Sequence, residues 1–301
     1  MNALKITLLF CFITVVSFAN ISTKEKNALI ALYHSTHGTS WTNSWDLKSP
    51  EATWYGVVIS DDKVVELNMP FNNLKGQLPT ELGDLTHLKK LNLFRNMISG
   101  TIPTTIGNLK SLQELNFAFN QLEGNIPSSL TEMASLRVLQ LFMNRLDGEI
   151  PSTIGNLKNL KQLELYNNHL SGVIPESLTD LVNLEQLLIS SNQLTGKLPG
   201  TISHVKNLEV LSAFDNNLFG TLPASIGELT NLKELVIADN AFYGDIPVEM
   251  ANLTNLKVLM IGNNGFHGEL AKLEAQFPNL TQFDFVNTKE ETTIATLDSE
   301  D

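Results

Sequence analysis

An α/β solenoid with a parallel sheet along its concave face is the fold class that this 301-residue sequence predicts, and three observations predict it. A 24-residue phrase, Leu88-x-x-Leu91-x-Leu93-x-x-Asn96-x-Ile98-x-Gly100-x-Ile102-Pro103, returns at Leu112, Leu136, Leu160, Leu184, Leu208, Leu232 and Leu256. It traces back to Val64 and forward to an incomplete copy at Leu280, with no insertion or deletion. A fixed period of about 20–50 residues marks units that stack because none can bury its apolar face alone. Within each unit, positions 4 and 6 (Leu91 and Leu93, Leu115 and Phe117) are apolar and their neighbours polar. That is the period of a short strand with one buried face.

The chain opens on residues that do not belong to the stack. Residues 1–19 predict a signal peptide: Lys5 gives a positive start, residues 6–16 an apolar run, and Ser17-Phe18-Ala19 a small-x-small cleavage site. The run is too short to cross a hydrocarbon core of about 30 Å. Cleavage would remove Lys5 and take the formal charge from −12 to −13. The sole cysteine, Cys11, lies in that run behind Phe10, too large a residue for a lipid-attachment site, so the mature chain is expected to have no thiol. No further run of membrane length follows, and the expected location is secreted, cell-surface or periplasmic. With 43% hydrophobic residues the composition is that of a folded soluble protein. The acidic balance argues against nucleic acid as a partner, because phosphate binding needs a basic stripe.

Residues 20–63 are expected to form an N-terminal cap. Ser22-Thr-Lys-Glu25 reads as a capping box, after which Ala28, Leu29, Leu32 and Tyr33 share one helical face up to a stop near Gly38. Trp41, Trp45 and Trp54, the only tryptophans, are placed to cover the first repeat, since a stack needs a terminal cap for solubility. His34 and His37 lack the spacing of a metal site and are read as loop residues.

Nine full repeats occupy residues 64–279. The Leu-x-Gly-x-Ile-Pro stretch is expected to turn the chain across the edge, with proline denying a further ladder donor. A second apolar pair, such as Ile106 and Leu109, belongs to a short helical or 3₁₀ segment on the convex side. The ninth position is asparagine throughout: Asn72, Asn96, Asn120, Asn144, Asn168, Asn192, Asn216, Asn240 and Asn264. An amide carries donors and an acceptor, so this ladder is assigned to satisfying buried backbone where each strand ends.

The phrase LxxLxLxxNxLxGxIPxxIGNL resembles the plant-type class of leucine-rich repeats, found in receptor-kinase ectodomains and polygalacturonase-inhibiting proteins. The cap, Ala28-Leu-Ile-Ala-Leu-Tyr33 with Gly38-x-x-Trp41 and Trp54-Tyr-Gly-Val57, is similar to that of secreted bacterial and protist proteins with the same repeat. The resemblance covers residues 24 to about 288 and implies a right-handed solenoid with 3₁₀ or helical segments on its convex face. Plant caps bracket the Trp-x-Gly-Val motif with cysteines, where Ala52 and Ile59 stand here.

The stack ends by degradation. Ala271 replaces the proline, Phe277-Pro278 interrupts the convex segment, and residues 280–288 are expected to supply a closing strand. Residues 289–301 read as an acidic, disordered tail. Asn252-Leu-Thr254 and Asn279-Leu-Thr281 match glycosylation sequons, although the same letters belong to the repeat.

Function is expected where repeats differ. Positions 3, 5, 7 and 8 point out of the concave sheet. Position 7 carries Phe94, Phe142, Tyr166 and Phe214, and position 8 carries Phe71 and Phe119. With strands about 4.8 Å apart, these rings would form an aromatic track, and exposed aromatics at that density mark a partner surface. Asn68, Asn92, Asn116 and Gln140 flank it at position 5, with Arg95 and Arg145 as cationic contacts. Amides beside aromatic planes suit an extracellular protein or a glycan.

In the second half, Asp215 and Asp239 occupy position 8 of neighbouring strands, a weak pairing for calcium against the ordinary reading of solvated acids. No cofactor is implied. No His-Glu-x-x-His, Gly-x-Ser-x-Gly or phosphate-loop motif occurs. Glu164 and His169 are the only acid–base pair near the concave strands, with no third group to orient them. The sequence therefore points to a secreted, non-enzymatic binding module whose concave aromatic and amide face takes a protein or carbohydrate. The alternatives are a structural or adhesive surface component, or an inhibitor of an extracellular enzyme.

Overall fold

A computed structural model describes residues 21–287. The expected signal peptide and acidic tail lie outside the described residues. Helix α1 (Thr23–Ser35) starts at Ser22, whose Oγ accepts from the Glu25 amide at 3.2 Å while the Glu25 carboxylate accepts from the Ser22 amide at 3.2 Å. Glu25 is buried, and its Oε1 also accepts the Val64 amide at 3.1 Å, so one side chain ties the helix to the first repeat. The helix ends at Ser35, and Gly38 begins a 3₁₀ turn where a Cβ would overlap the Tyr33 ring.

The three tryptophans are buried in one cluster with Tyr33. Trp45 stacks on Trp54 at 4.8 Å and meets Trp41 edge-on at 4.9 Å. Each indole N–H reaches a carbonyl: Trp41 to Thr36, Trp45 to Tyr55, and Trp54 to Asp46 and Ser49. These large apolar covers therefore leave no buried donor orphaned. The sequence reading missed a hairpin at the cap's end. Strand β1 (Val57–Ser60) pairs antiparallel with β2 (Lys63–Asn68) around Asp61 and Asp62, both at positive φ (51° and 56°). Positive φ at both central residues is the geometry of a tight hairpin turn, and short polar residues such as aspartate favour it.

From β2 onward one short strand per repeat adds to an eleven-stranded sheet, parallel except at β1. Register is one-to-one across each 24-residue step: Leu67 faces Leu91, Leu91 faces Leu115, and Leu259 faces Phe283. The first seven repeats bury the same seven positions, and in the last two Ile246, Leu270 and Leu273 are only partly buried. In the second repeat the seven are Leu88, Leu91, Leu93, Ile98, Ile102, Ile106 and Leu109. The convex side carries 3₁₀ segments such as Thr104–Asn108, entered through Pro103 (φ −67°), whose carbonyl accepts the Ile106 amide at 3.0 Å.

The Leu-x-Gly-x-Ile-Pro stretch is more than the expected turn. Its first residues pair from repeat to repeat in two further parallel sheets of four strands each, running from Lys75–Gln77 to Arg145–Asp147 and from Thr195–Gly196 to Gly265–His267. Isolated bridges at Glu149–Ser171 and Val173–Thr195 span the gap between them. Buried amide and carbonyl groups must pair, and the ladder ends one to three residues before the proline, as at Gly100 and Asn125.

The asparagines bind backbone from three places. Asn96 Nδ2 donates to Met69 O and Leu93 O at 3.0 and 2.9 Å, and its Oδ1 accepts the Asn72 and Leu74 amides at 3.0 and 3.1 Å. The pattern repeats through Asn264, whose Nδ2 donates to Ile237 O and Ile261 O. At the start of the ladder Asn72 Oδ1 accepts the Asn43 amide at 2.7 Å and joins cap to stack. At its end Asn287 Oδ1 accepts the Asn264 amide. The last strand, Gln282–Asp284, pairs with Val258–Met260, and Phe283 and Phe285 beside it are only half-buried.

Candidate binding face

Each repeat ends its concave strand with a reversal at position 8, and this residue has a left-handed backbone in all nine repeats. Phe71, Arg95, Phe119, Met143, Asn167, Ser191, Asp215, Asp239 and Asn263 lie at φ 51–55°. Asparagine and aspartate tolerate that conformation; a bulky L-residue is strained by contact of its Cβ with the backbone. The first four repeats nonetheless place Phe, Arg, Phe and Met there, and the last five place Asn, Ser, Asp, Asp and Asn. The letters show the division, but not the backbone angle behind it. The same conformation explains Asp215 and Asp239 without a metal, and no group of three or more His, Cys, Asp or Glu side chains suited to a cation occurs among the described residues.

Five rings meet in a zigzag. Phe71, Phe94, Phe119 and Phe142 contact one another edge-on in sequence at 5.3, 5.4 and 5.5 Å, and Phe142 stacks on Tyr166 at 4.4 Å, 11° from parallel. Their exposure is unequal. Phe71 is 58% exposed, Phe94, Phe119 and Tyr166 are half-buried, and Phe142 is only 8% exposed. Phe142 therefore corrects the expectation of a uniformly open track. It is the ring the others pack on, closed in by neighbours on both sides. Phe214 is exposed but stands apart, because the intervening repeat has Ser190 at position 7.

Arg95 lies over the rings of Phe71 and Phe119, at 5.5 and 5.7 Å from their centroids, and makes no ion pair among the described residues. Arg145 is not beside it: it opens a strand of the second sheet. The position 5 amides are less free than expected. Asn92 Nδ2 donates to Asn68 Oδ1 at 2.9 Å and Asn116 Nδ2 to Gln140 Oε1 at 2.7 Å. Asn92 and Asn116 also accept the Phe94 and Ala118 amides, both at 3.0 Å. Each amide thus uses part of its capacity inside the face.

The amide row ends on Glu164, which is 8% exposed. Its Oε1 accepts from Gln140 Nε2 at 3.2 Å, and no cation pairs with it among the described residues. Burial raises the Glu164 carboxyl above its ordinary range, against the downward pull of the Gln140 hydrogen bond. Burial, and then the Glu164 charge, raise the Tyr166 phenol. Lys90 and Glu114, on adjacent strands, pair at 2.9 Å, an interaction that raises the Lys90 ammonium. No hydrogen bond or ion pair joins Glu164 to His169, which is exposed beyond the strand end.

No helix among the described residues is long and apolar enough to cross a membrane. The profile of the leucine-rich repeat region matches residues 63–195 and 136–290. Among solved structures, the LRR ectodomain of the plant membrane receptor kinase GASSHO1/SCHENGEN3 from Arabidopsis thaliana, in complex with CASPARIAN STRIP INTEGRITY FACTOR 2, is 33% identical at a TM-score of 0.82. The match covers 85% of this chain and 31% of that one. The plant peptide hormone receptor RGFR1 in complex with RGF2 is 36% identical at a TM-score of 0.62, covering 71% of this chain and 38% of that one. The Arabidopsis receptor kinase HAESA, in complex with the peptide hormone IDA and the co-receptor SERK1, is 29% identical at 0.75, covering 88% and 45%. The chain thus spans less than half the length of each.

Proposed function

The chain belongs to the leucine-rich repeat family, and on that premise we propose that it is a non-enzymatic binding module that holds an extended protein segment along the first half of its concave face. One observation carries this reading. Phe71, Arg95 and Phe119 are held in a backbone conformation that bulky residues adopt at a cost, while four of the last five repeats place Asn or Asp there. Strain kept at a surface is a pointer to function. Of the solved structures named above, RGFR1 is described as a peptide hormone receptor and HAESA as in complex with the peptide hormone IDA, which supports a polypeptide ligand.

The amide row favours polypeptide over glycan, because Asn92 spends a donor on Asn68, Asn116 on Gln140 and Gln140 on Glu164. Export through residues 1–19 belongs to the same proposal. So does a cap of the cysteine-free kind, built on Trp41, Trp45 and Trp54. The strip from Phe71 to Tyr166 spans four strand spacings, about 19 Å, or roughly six extended residues. Panning a displayed library of linear peptides of roughly ten residues against the full chain tests the proposal. Enriched sequences are expected to lose at least tenfold in affinity for Phe71→Asn and Phe119→Asn. Equal affinity for both variants would overturn it.

A further inference from the structure

The charges on the aromatic face are sorted. Lys90 pairs with Glu114 in its middle, and Glu66 on the preceding strand also faces Lys90. Arg95, toward the cap, is held between two rings with no carboxylate partner, and Glu164, at the far end, is a largely buried carboxylate with no cation, both among the described residues. The Glu164 oxygens differ. Oε1 takes the Gln140 hydrogen bond, whereas no hydrogen bond reaches Oε2. No buried side-chain oxygen among the described residues lacks a partner, so Oε2 opens to the concave surface. Beside it Tyr166 stacks one face on Phe142, and position 7 of the next repeat is Ser190, too small to cover the other. An aromatic face next to a desolvated carboxylate is a seat for a cation.

Resting on the reading of this face as a peptide site, we propose that its occupant is an extended segment bearing a basic side chain, seated on Glu164 and Tyr166, and an acidic side chain on Arg95. The two anchors are three strand spacings apart, about 14 Å along the solenoid before any lateral offset, the reach of roughly four to five extended residues. Apolar side chains between them lie on Phe119 and Phe94. The ligand cation offsets the desolvation that Glu164 bears alone, and its attraction is strengthened by the low local dielectric. Specificity follows: a segment lacking the basic group leaves a buried carboxylate uncompensated.

The same linear-peptide library, panned against the wild-type chain and against Glu164→Gln, tests this. Glutamine keeps the hydrogen bond from Gln140 and the shape of the side chain, so the fold is retained. Wild-type selections are expected to be enriched in Lys or Arg with Asp or Glu four or five positions away. Glu164→Gln selections are expected to keep the apolar residues and lose the basic one. A wild-type peptide should bind Glu164→Gln roughly tenfold more weakly, and its Lys→norleucine form should bind both proteins alike. Enriched peptides that need Phe71 and Phe119 but show no basic residue, or bind Glu164→Gln unchanged, overturn this inference and leave the binding face standing. If nothing enriches, or Phe71→Asn and Phe119→Asn bind as wild type does, the face itself fails and the inference falls with it.

Discussion

Glu164, which the sequence offers only as an unoriented acid–base partner for His169, has a different physical meaning in place. Burial raises its carboxyl pKa above the unfolded value. Between those two values the folded state holds a proton that the unfolded state has released, so stability falls as pH rises through that window, and the penalty is complete above it. Glu164→Gln removes the titration while keeping the Gln140 hydrogen bond. The variant should match the wild type in urea unfolding at acid pH and exceed it at neutral pH. A neutral-pH variant less stable than wild type would refute the assignment. The same scale separates what could be read beforehand from what could not. Leucines at positions 1, 4 and 6 declare their burial by period alone. Phe142 and Phe71 look equivalent as letters, yet one is enclosed and the other open, because ring packing depends on the neighbours two repeats around.

At the scale of the element, the asparagine rungs are the clearest case in which a repeated letter dictates a structure. Asn144 Nδ2 donates to Phe117 O and Leu141 O, both at 3.0 Å, and its Oδ1 accepts the Leu122 amide at 3.0 Å, all buried. Alanine would leave the Leu122 amide without a partner and remove one of two amide donors from the Phe117 and Leu141 carbonyls, which keep Asn120 and Asn168. At about 1–3 kcal/mol for an unsatisfied buried group, Asn144→Ala should lower unfolding free energy by about 1–3 kcal/mol in chemical denaturation. A loss below about 1 kcal/mol would mean water or repacking replaces the rung. The strand, the rung and the 3₁₀ return were legible from spacing. The second sheets were not, since Leu-x-Gly-x-Ile carries a turn signal at its glycine that hides short ladder pairing. The β1–β2 hairpin was legible in principle: Asp61-Asp62 between two apolar runs is a turn signal that period-counting from Val64 passed over.

Across the whole molecule, each repeat touches its neighbours, so stability is close to a sum of unit and interface contributions. Glu25, the tryptophan cluster and Asn43 fasten the cap to the first repeat. Trp45 is buried between Trp41 and Trp54, and Trp45→Ala should cost about 3–5 kcal/mol. Nearest-neighbour coupling places that loss: amide hydrogen exchange should quicken from the cap through the first repeats and stay unchanged beyond residue 184. Uniform quickening would show a single cooperative unit instead. The stack itself followed from the period, and its division into an aromatic half and an Asn/Asp half was visible in the letters. The reason for that division lies in a backbone angle that no letter prints.

The unfolding free energy of the double variant Phe71→Asn, Phe119→Asn, measured beside wild type in urea, tests the central claim most directly. If the rings are held there for a partner, exchanging them for a residue at ease in the left-handed conformation leaves stability equal or raises it, by about 1 kcal/mol for each site once lost ring contacts are subtracted. A loss of several kcal/mol would show that the rings exist to pack on one another, and the concave face would have no claim to a ligand.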